Sequence, residues 1–255
     1  MTSHKLILLD IFSYSCMNCL RSFNFINKMD DKYGRFGLET IILHPPEWEF
    51  EKNSNNILKA LEKYKIKFPV IIDKNKRIIN KLKISFWPAQ ILIKDGTILY
   101  KHIGEGDYKR LEDSIRKILN INVKKIFNKE PKYARFPTIY LGKGREGIIK
   151  SIGNQLKFGI IYTEGRWSRE NECLISIGND CSITLLTKGN IINFVAKSIN
   201  KKPLENKIIL NNKAVKRIII KEPRLYQILK LKNNGQNKLA LKAKTGLAIY
   251  SFSFQ

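Results

Sequence analysis

The sequence predicts two domains of different class: an α/β domain whose mixed central sheet is covered by helices on both faces, then an all-β domain built as a jelly-roll-like sandwich. Three observations carry the prediction. Up to residue 120, apolar runs alternate with helical patterns, the layout of βαβ units. Beyond residue 138 the helical period disappears, and short apolar alternations follow one another between turn signals. The charge is uneven as well: of a formal +25, residues 1–120 hold +7 and residues 121–255 hold +18. The expected division is a first domain at 1–120, a basic linker with two prolines at 121–137, and a second domain at 138–255.

In the first domain, strands are expected at 5–12, 38–44, 69–73, 89–94 and 98–103. Helices are expected at 16–34, 52–65 and 107–119, with a short one near 75–81. The run Lys5-Leu-Ile-Leu-Leu-Asp-Ile-Phe12 is apolar, and Leu20-Arg-Ser-Phe-Asn-Phe-Ile-Asn-Lys-Met29 is amphipathic. Asp107 is placed to cap the helix beginning Tyr108-Lys-Arg-Leu, and Lys94-Asp-Gly-Thr97 reads as a hairpin turn. In the second domain, strands are expected at 156–162, 173–177, 182–187, 191–198, 206–211, 214–220, 225–231, 238–243 and 247–254. Gly178-Asn179-Asp180, Lys188-Gly189-Asn190, Asn211-Asn212 and Asn233-Asn234-Gly235 separate them. Pro223 cannot donate to a ladder, so Glu222-Pro-Arg-Leu-Tyr226 belongs at the opening of a strand.

A chain of 255 residues can bury two cores. Four cysteines are too few for a disulfide-stapled secreted scaffold. No apolar run approaches the roughly 18–20 residues of a membrane span, and the N-terminus lacks a signal-peptide layout. A cytoplasmic protein is therefore expected. The enrichment in Lys and Ile suggests an AT-rich genome and a thermophile.

Chemistry concentrates at Cys16-Met-Asn-Cys19, which follows the first strand and opens the first helix. Two sulfurs at this spacing can close a disulfide. The helix N-terminus aims backbone N–H groups at Cys16 and favours its thiolate. The competing reading is half of a zinc site, which needs four ligands in paired spacings. Cys173 and Cys181 are spaced too widely for that, and His4, His44 and His102 stand singly, so the dithiol reading is preferred.

The surrounding residues carry a resemblance. Phe12-Ser-Tyr-Ser-Cys-Met-Asn-Cys-Leu-Arg21, His44-Pro-Pro-Glu-Trp-Glu-Phe-Glu51, Phe86-Trp-Pro-Ala89 and His102-Ile-Gly-Glu-Gly106 are similar to the thioredoxin fold of the TlpA and ResA branch. They look most like the soluble portion of DipZ-type proteins. Tyr140-Leu-Gly142 and Glu222-Pro-Arg-Leu-Tyr-Gln-Ile228 resemble the β-sandwich that follows the thioredoxin domain there. The departures are the missing membrane portion and the high positive charge.

The resemblance implies a division of labour among residues. Cys16 would attack and Cys19, more buried, would resolve the mixed disulfide. Asp10, six residues before Cys16, would be a buried general base for Cys19; the alternative is a strand-end carboxylate facing water. Pro88 would be cis and close to the cysteines, with Trp87 as an apolar wall that contacts substrate. Tyr14 and Ser15 line the loop before Cys16 and are expected to shape substrate access. Glu47 and His44 follow the second strand; Glu47 either influences the site or caps the next helix. Cys173 and Cys181 bracket an expected hairpin, either as two buried thiols or as a disulfide across a bulge.

The expected function is thiol–disulfide exchange with protein disulfide or dithiol substrates and an electron donor or acceptor, without cofactor or metal. The second domain would dock substrate or pair two chains as a homodimer. A thiol peroxidase is the alternative enzyme, but the positions seven and three before Cys16 are Leu9 and Ser13, not the Pro and Thr of such sites. A basic module for nucleic acid or anionic surfaces is the other alternative. Its lysines are dispersed, and no cluster of aromatics offers a stacking platform. Trp167 stands alone, which speaks against sugar stacking.

Overall fold

The computed structural model describes residues 5–130, 136–145, 147–153, 155–232 and 235–255. It falls into two units, Met1–Lys132 and Tyr133–Gln255. His4, residues 131–135 of the expected linker and the Asn233–Asn234 turn lie outside the described residues.

The first unit runs β1 (Leu6–Ile11), α1 (Met17–Tyr33), β2 (Leu38–His44), α2 (Ser54–Lys63), β3 (Val70–Ile72), α3 (Arg77–Lys81), β4 (Ala89–Lys94), β5 (Thr97–Ile103) and α4 (Tyr108–Ile118). The sheet order is β3-β2-β1-β4-β5. β1 and β3 each run parallel to β2, whereas β4 is antiparallel to both β1 and β5. β1 is thus central, and its apolar run is buried almost throughout. α1 buries Cys19, Phe23, Ile26, Met29 and Tyr33, a three-to-four-residue spacing that covers one helix face. The hairpin between β4 and β5 turns at Asp95 and Gly96, both with positive φ, as a two-residue turn requires.

One local expectation changes. Asp107 does not cap α4. Its φ is +60°, and its carboxylate accepts from the Tyr100 hydroxyl at 2.9 Å. Glu130 instead accepts the Tyr108 and Lys109 N–H groups at 3.1 and 3.0 Å. The segment after α4 packs onto the first unit. Phe127, 7% exposed, sits against Phe25 and Tyr108. The buried Glu112 accepts the N–H groups of Ile126 and Phe127 and the Tyr33 hydroxyl.

The second unit is strand-rich: β6 (Ile139–Tyr140), β7 (Ile148–Ser151), β8 (Ile160–Glu164), β9 (Trp167–Arg169), β10 (Leu174–Ser176), β11 (Cys181–Thr187), β12 (Ile191–Ser198), β13 (Leu204–Leu210), β14 (Lys213–Ile220), β15 (Arg224–Lys230), β16 (Asn237–Ala243) and β17 (Leu247–Phe254). One sheet has the order β15-β12-β17-β10-β9 with β6 on β17; the other is β14-β13-β16-β11-β8-β7. Phe194, Tyr226 and Phe252 of the first sheet and Ile183, Ile208 and Leu241 of the second belong to one apolar cluster. Asn211 and Asn212 both take positive φ and close the β13–β14 hairpin. Gly189 has φ +83°, and a Cβ there would meet the Gln255 carbonyl oxygen at 2.1 Å.

The expected hairpin between Cys173 and Cys181 does not form. β10 and β11 belong to different sheets, so Gly178-Asn179-Asp180 carries the chain from one sheet to the other. Both cysteines are free and buried. Among the described residues no helix is long and apolar enough to cross a membrane.

Candidate active site at the Cys16–Cys19 pair

β1 delivers the chain through Phe12–Ser15 to the N-terminus of α1. Cys16 is the N-cap, and its sulfur accepts the Cys19 N–H at 3.3 Å. Side-chain capping by sulfur satisfies one of the donors that a helix start leaves open. Cys16 is half-buried and Cys19 fully buried. Burial holds the Cys19 thiol well above its usual range; the hydrogen bond and charge of Cys16 and, less strongly, the Asp10 charge add to it. Two thiols in one motif are thereby made unequal, one reachable and one withheld.

Asp10 is buried, not facing water. It sits opposite Gln90 across the β1–β4 pair, and Gln90 Nε2 donates to its Oδ1 at 2.9 Å. The other oxygen, Oδ2, has no hydrogen-bond partner in the structure. Burial raises the Asp10 carboxyl to about 7, partly offset by the Gln90 bond. A carboxyl in that range with an open oxygen can take a proton from a nearby thiol at neutral pH. Gln90 went unnoticed in the sequence because an amide inside an apolar strand has no motif; its register partner defines it.

The Trp87–Pro88 bond is cis, and the Pro88 carbonyl accepts the Gly104 N–H at 2.8 Å. Trp87 is half-buried; its indole N–H donates to Glu47 Oε2 at 3.3 Å, and Lys76 lies over its ring. Phe86 beside it is 58% exposed. Glu47 does not cap the following helix: Asn53 does, accepting the Asn55 N–H at 2.9 Å.

Tyr14 departs from its expected place. Its side chain is fully buried, stacked on His44 with centroids 5.5 Å apart and tilted against Phe50. It packs into the interior against His44 and Phe50 instead of lining the access route. His44 is buried as well, and burial lowers its imidazole to about 4, so it stays neutral at ordinary pH.

The carboxylate that organises the loop is Glu51. It is fully buried and accepts both Ser13 Oγ contacts (2.9 and 3.0 Å), the Ser15 hydroxyl and the Ser15 and Glu47 N–H groups. Burial, with repulsion from Glu47, raises its carboxyl to about 7. On the other flank, Arg21 of α1 pairs with Glu105 and also donates to Asn18 Oδ1 at 3.1 Å. Arg21 and Glu105 are mostly buried, 14% and 5% exposed, so this pair ties the cysteine helix to the loop after β5.

Residues 151–254 match the family described as Thioredoxin like C-terminal domain. Protein DipZ of Mycobacterium tuberculosis is 25% identical over 273 residues, covering 98% of this chain and 39% of that protein. The chain therefore spans about two-fifths of the length of these relatives. Thiol-disulfide oxidoreductase ResA of Bacillus cereus is 32% identical over 115 residues, covering 45% of this chain and 64% of ResA. Among solved structures, a thiol:disulfide interchange protein from a Bacteroides species overlaps with a TM-score of 0.39 at 19% identity, covering 46% of this chain and 74% of that one. The chain is similar to DipZ along nearly its whole length and to ResA along 45% of it.

Proposed function

We propose that this chain is a thiol–disulfide oxidoreductase that exchanges electrons with protein disulfides through Cys16 and Cys19. The observation that carries the reading is the inequality of the pair: a half-buried N-cap sulfur beside a buried thiol, with a buried carboxyl of raised pKa at hand. The Cys16 thiolate attacks one sulfur of a substrate disulfide, forms the mixed disulfide and expels the other sulfur as a thiolate. Cys19 passes its proton to Asp10 and attacks Cys16 Sγ, which releases the second substrate thiol. The substrate gains two electrons and the protein ends oxidised; an electron donor then restores the dithiol. Run backwards, the same steps oxidise a substrate dithiol and require an electron acceptor.

Phe86 and Trp87, which precede Pro88, would meet the substrate chain, and Glu47 would hold Trp87 in place. We also propose that residues 1–120 are the catalytic domain, 121–137 the linker and 138–255 a jelly-roll-like sandwich that docks substrate or forms a homodimer. The single apolar cluster shared by two sheets supports the sandwich. The test is chemical. Under limiting alkylation of the reduced protein, Cys16 should label first; Cys16→Ser should abolish reduction of a protein disulfide, and Cys19→Ser should accumulate mixed disulfides. Preferential labelling of Cys19 overturns the assignment.

A further inference from the structure

Glu51 closes the segment His44–Glu51, has no ion-pair partner among the described residues and is fully buried. An ionised carboxylate offers about four acceptor sites, and here neutral donors occupy them. Three donor groups, the Ser13 hydroxyl and the Ser15 hydroxyl and N–H, come from the loop that ends in Cys16. The remaining one is the Glu47 N–H at 2.6 Å, and the Glu47 carboxylate in turn accepts the Trp87 indole at 3.3 Å. Tyr14, between the two serines, donates its N–H to the neutral His44 at 3.4 Å, so the same loop is gripped from a second side. One buried side chain therefore reaches the loop that presents Cys16 and, through Glu47, the segment that carries Trp87.

We propose that Glu51 is a positioning residue of the dithiol site: it fixes the Ser13–Ser15 loop that presents Cys16 and, through Glu47, the Trp87 wall beside Pro88. The inference rests on the exchange function proposed above, but its two arms can be read without turnover. Burial and the Glu47 charge raise its carboxyl to about 7.

The experiment uses the full chain carrying Trp167→Phe, which leaves Trp48, 2% exposed, and Trp87, so that acrylamide quenching reports mainly on Trp87. The second readout is the rate of Cys16 alkylation by iodoacetamide across pH 5–9. Glu51→Gln keeps the shape but supplies one acceptor oxygen in place of two. It should raise Trp87 quenching at least twofold and change the alkylation rate at least threefold. Ser15→Ala should move only the alkylation, and Glu47→Ala only the quenching; these two serve if Glu51→Gln does not fold. Ile26→Val, a core change elsewhere in α1, controls for general loosening and should move neither. The proposal is overturned if Glu51→Gln leaves both readouts unchanged, or if Ile26→Val reproduces its effects. It is equally overturned if Ser15→Ala and Glu47→Ala fail to separate the two arms. A protein that exchanges no disulfide in the wild-type form, with both arms responding as expected, would remove the function and leave the positioning role standing.

Discussion

Replacing Asp10 with asparagine should change how stability depends on pH. The carboxyl is held at about 7 by burial, against an ordinary value of 3.8. Below about pH 4 the group is protonated in both folded and unfolded chains. Between there and pH 7 the folded chain keeps a proton that the unfolded chain has released, so stability falls as pH rises. Above the folded value the full cost of the buried charge is present. A shift of this size corresponds to about 4 kcal/mol, lost at roughly 1.4 kcal/mol per pH unit across that window. Glu51, also raised to about 7, adds slope of the same sign, and His44, lowered to about 4, adds slope of the opposite sign. Both remain in the variant, so the difference between the two proteins isolates Asp10. Asp10→Asn carries no charge, and its amide can meet Gln90 Oε1, which has no partner in the structure. The assay is urea unfolding of the reduced protein in the Trp167→Phe background, where both remaining tryptophans report on the first unit. The variant's advantage should grow by about 4 kcal/mol from pH 4 to pH 8. Parallel stability curves for the two proteins over that range would refute the reasoning, because the carboxyl would then titrate normally.

Two further outcomes follow from the same contacts. Gln90→Leu removes the side-chain donor to Asp10, so it should cost about 2 kcal/mol at pH 8, where the carboxylate is ionised, and less at pH 5. An equal loss at both pH values, read from urea midpoints, would mean that the bond does not discriminate charge. Glu112→Ala strands the Tyr33 hydroxyl and the Ile126 and Phe127 N–H groups, and should lower first-unit stability by about 4 kcal/mol while leaving Cys16 alkylation unchanged. A loss below about 1 kcal/mol would show that the segment after α4 is not held by this carboxylate.

Local pattern was enough to determine the strands and helices of the first unit, because β1 and α1 carry strong, uninterrupted periodicities and Asp95-Gly96 has one economical turn. The cysteine motif was legible for the same reason: its parts are neighbours in sequence. Within the second unit, alternation located the longer strands, but β6 and β9, of two and three residues, are too short to have a period. Which strands pair is a long-range matter, so the Cys173–Cys181 segment read as a hairpin when it is a crossing between sheets. The site shows the same limit. Cys16 and Cys19 could be named from spacing, whereas Glu51, Gln90 and the Arg21–Glu105 pair gain their roles only from partners 38, 80 and 84 residues away. From its loop position Tyr14 is expected to shape access, yet it is buried because His44 and Phe50 come back to cover it. Sequence determines which groups are present and their local conformation; burial, and with it the raised carboxyls and the inequality of the two thiols, is decided by what the rest of the fold brings against them.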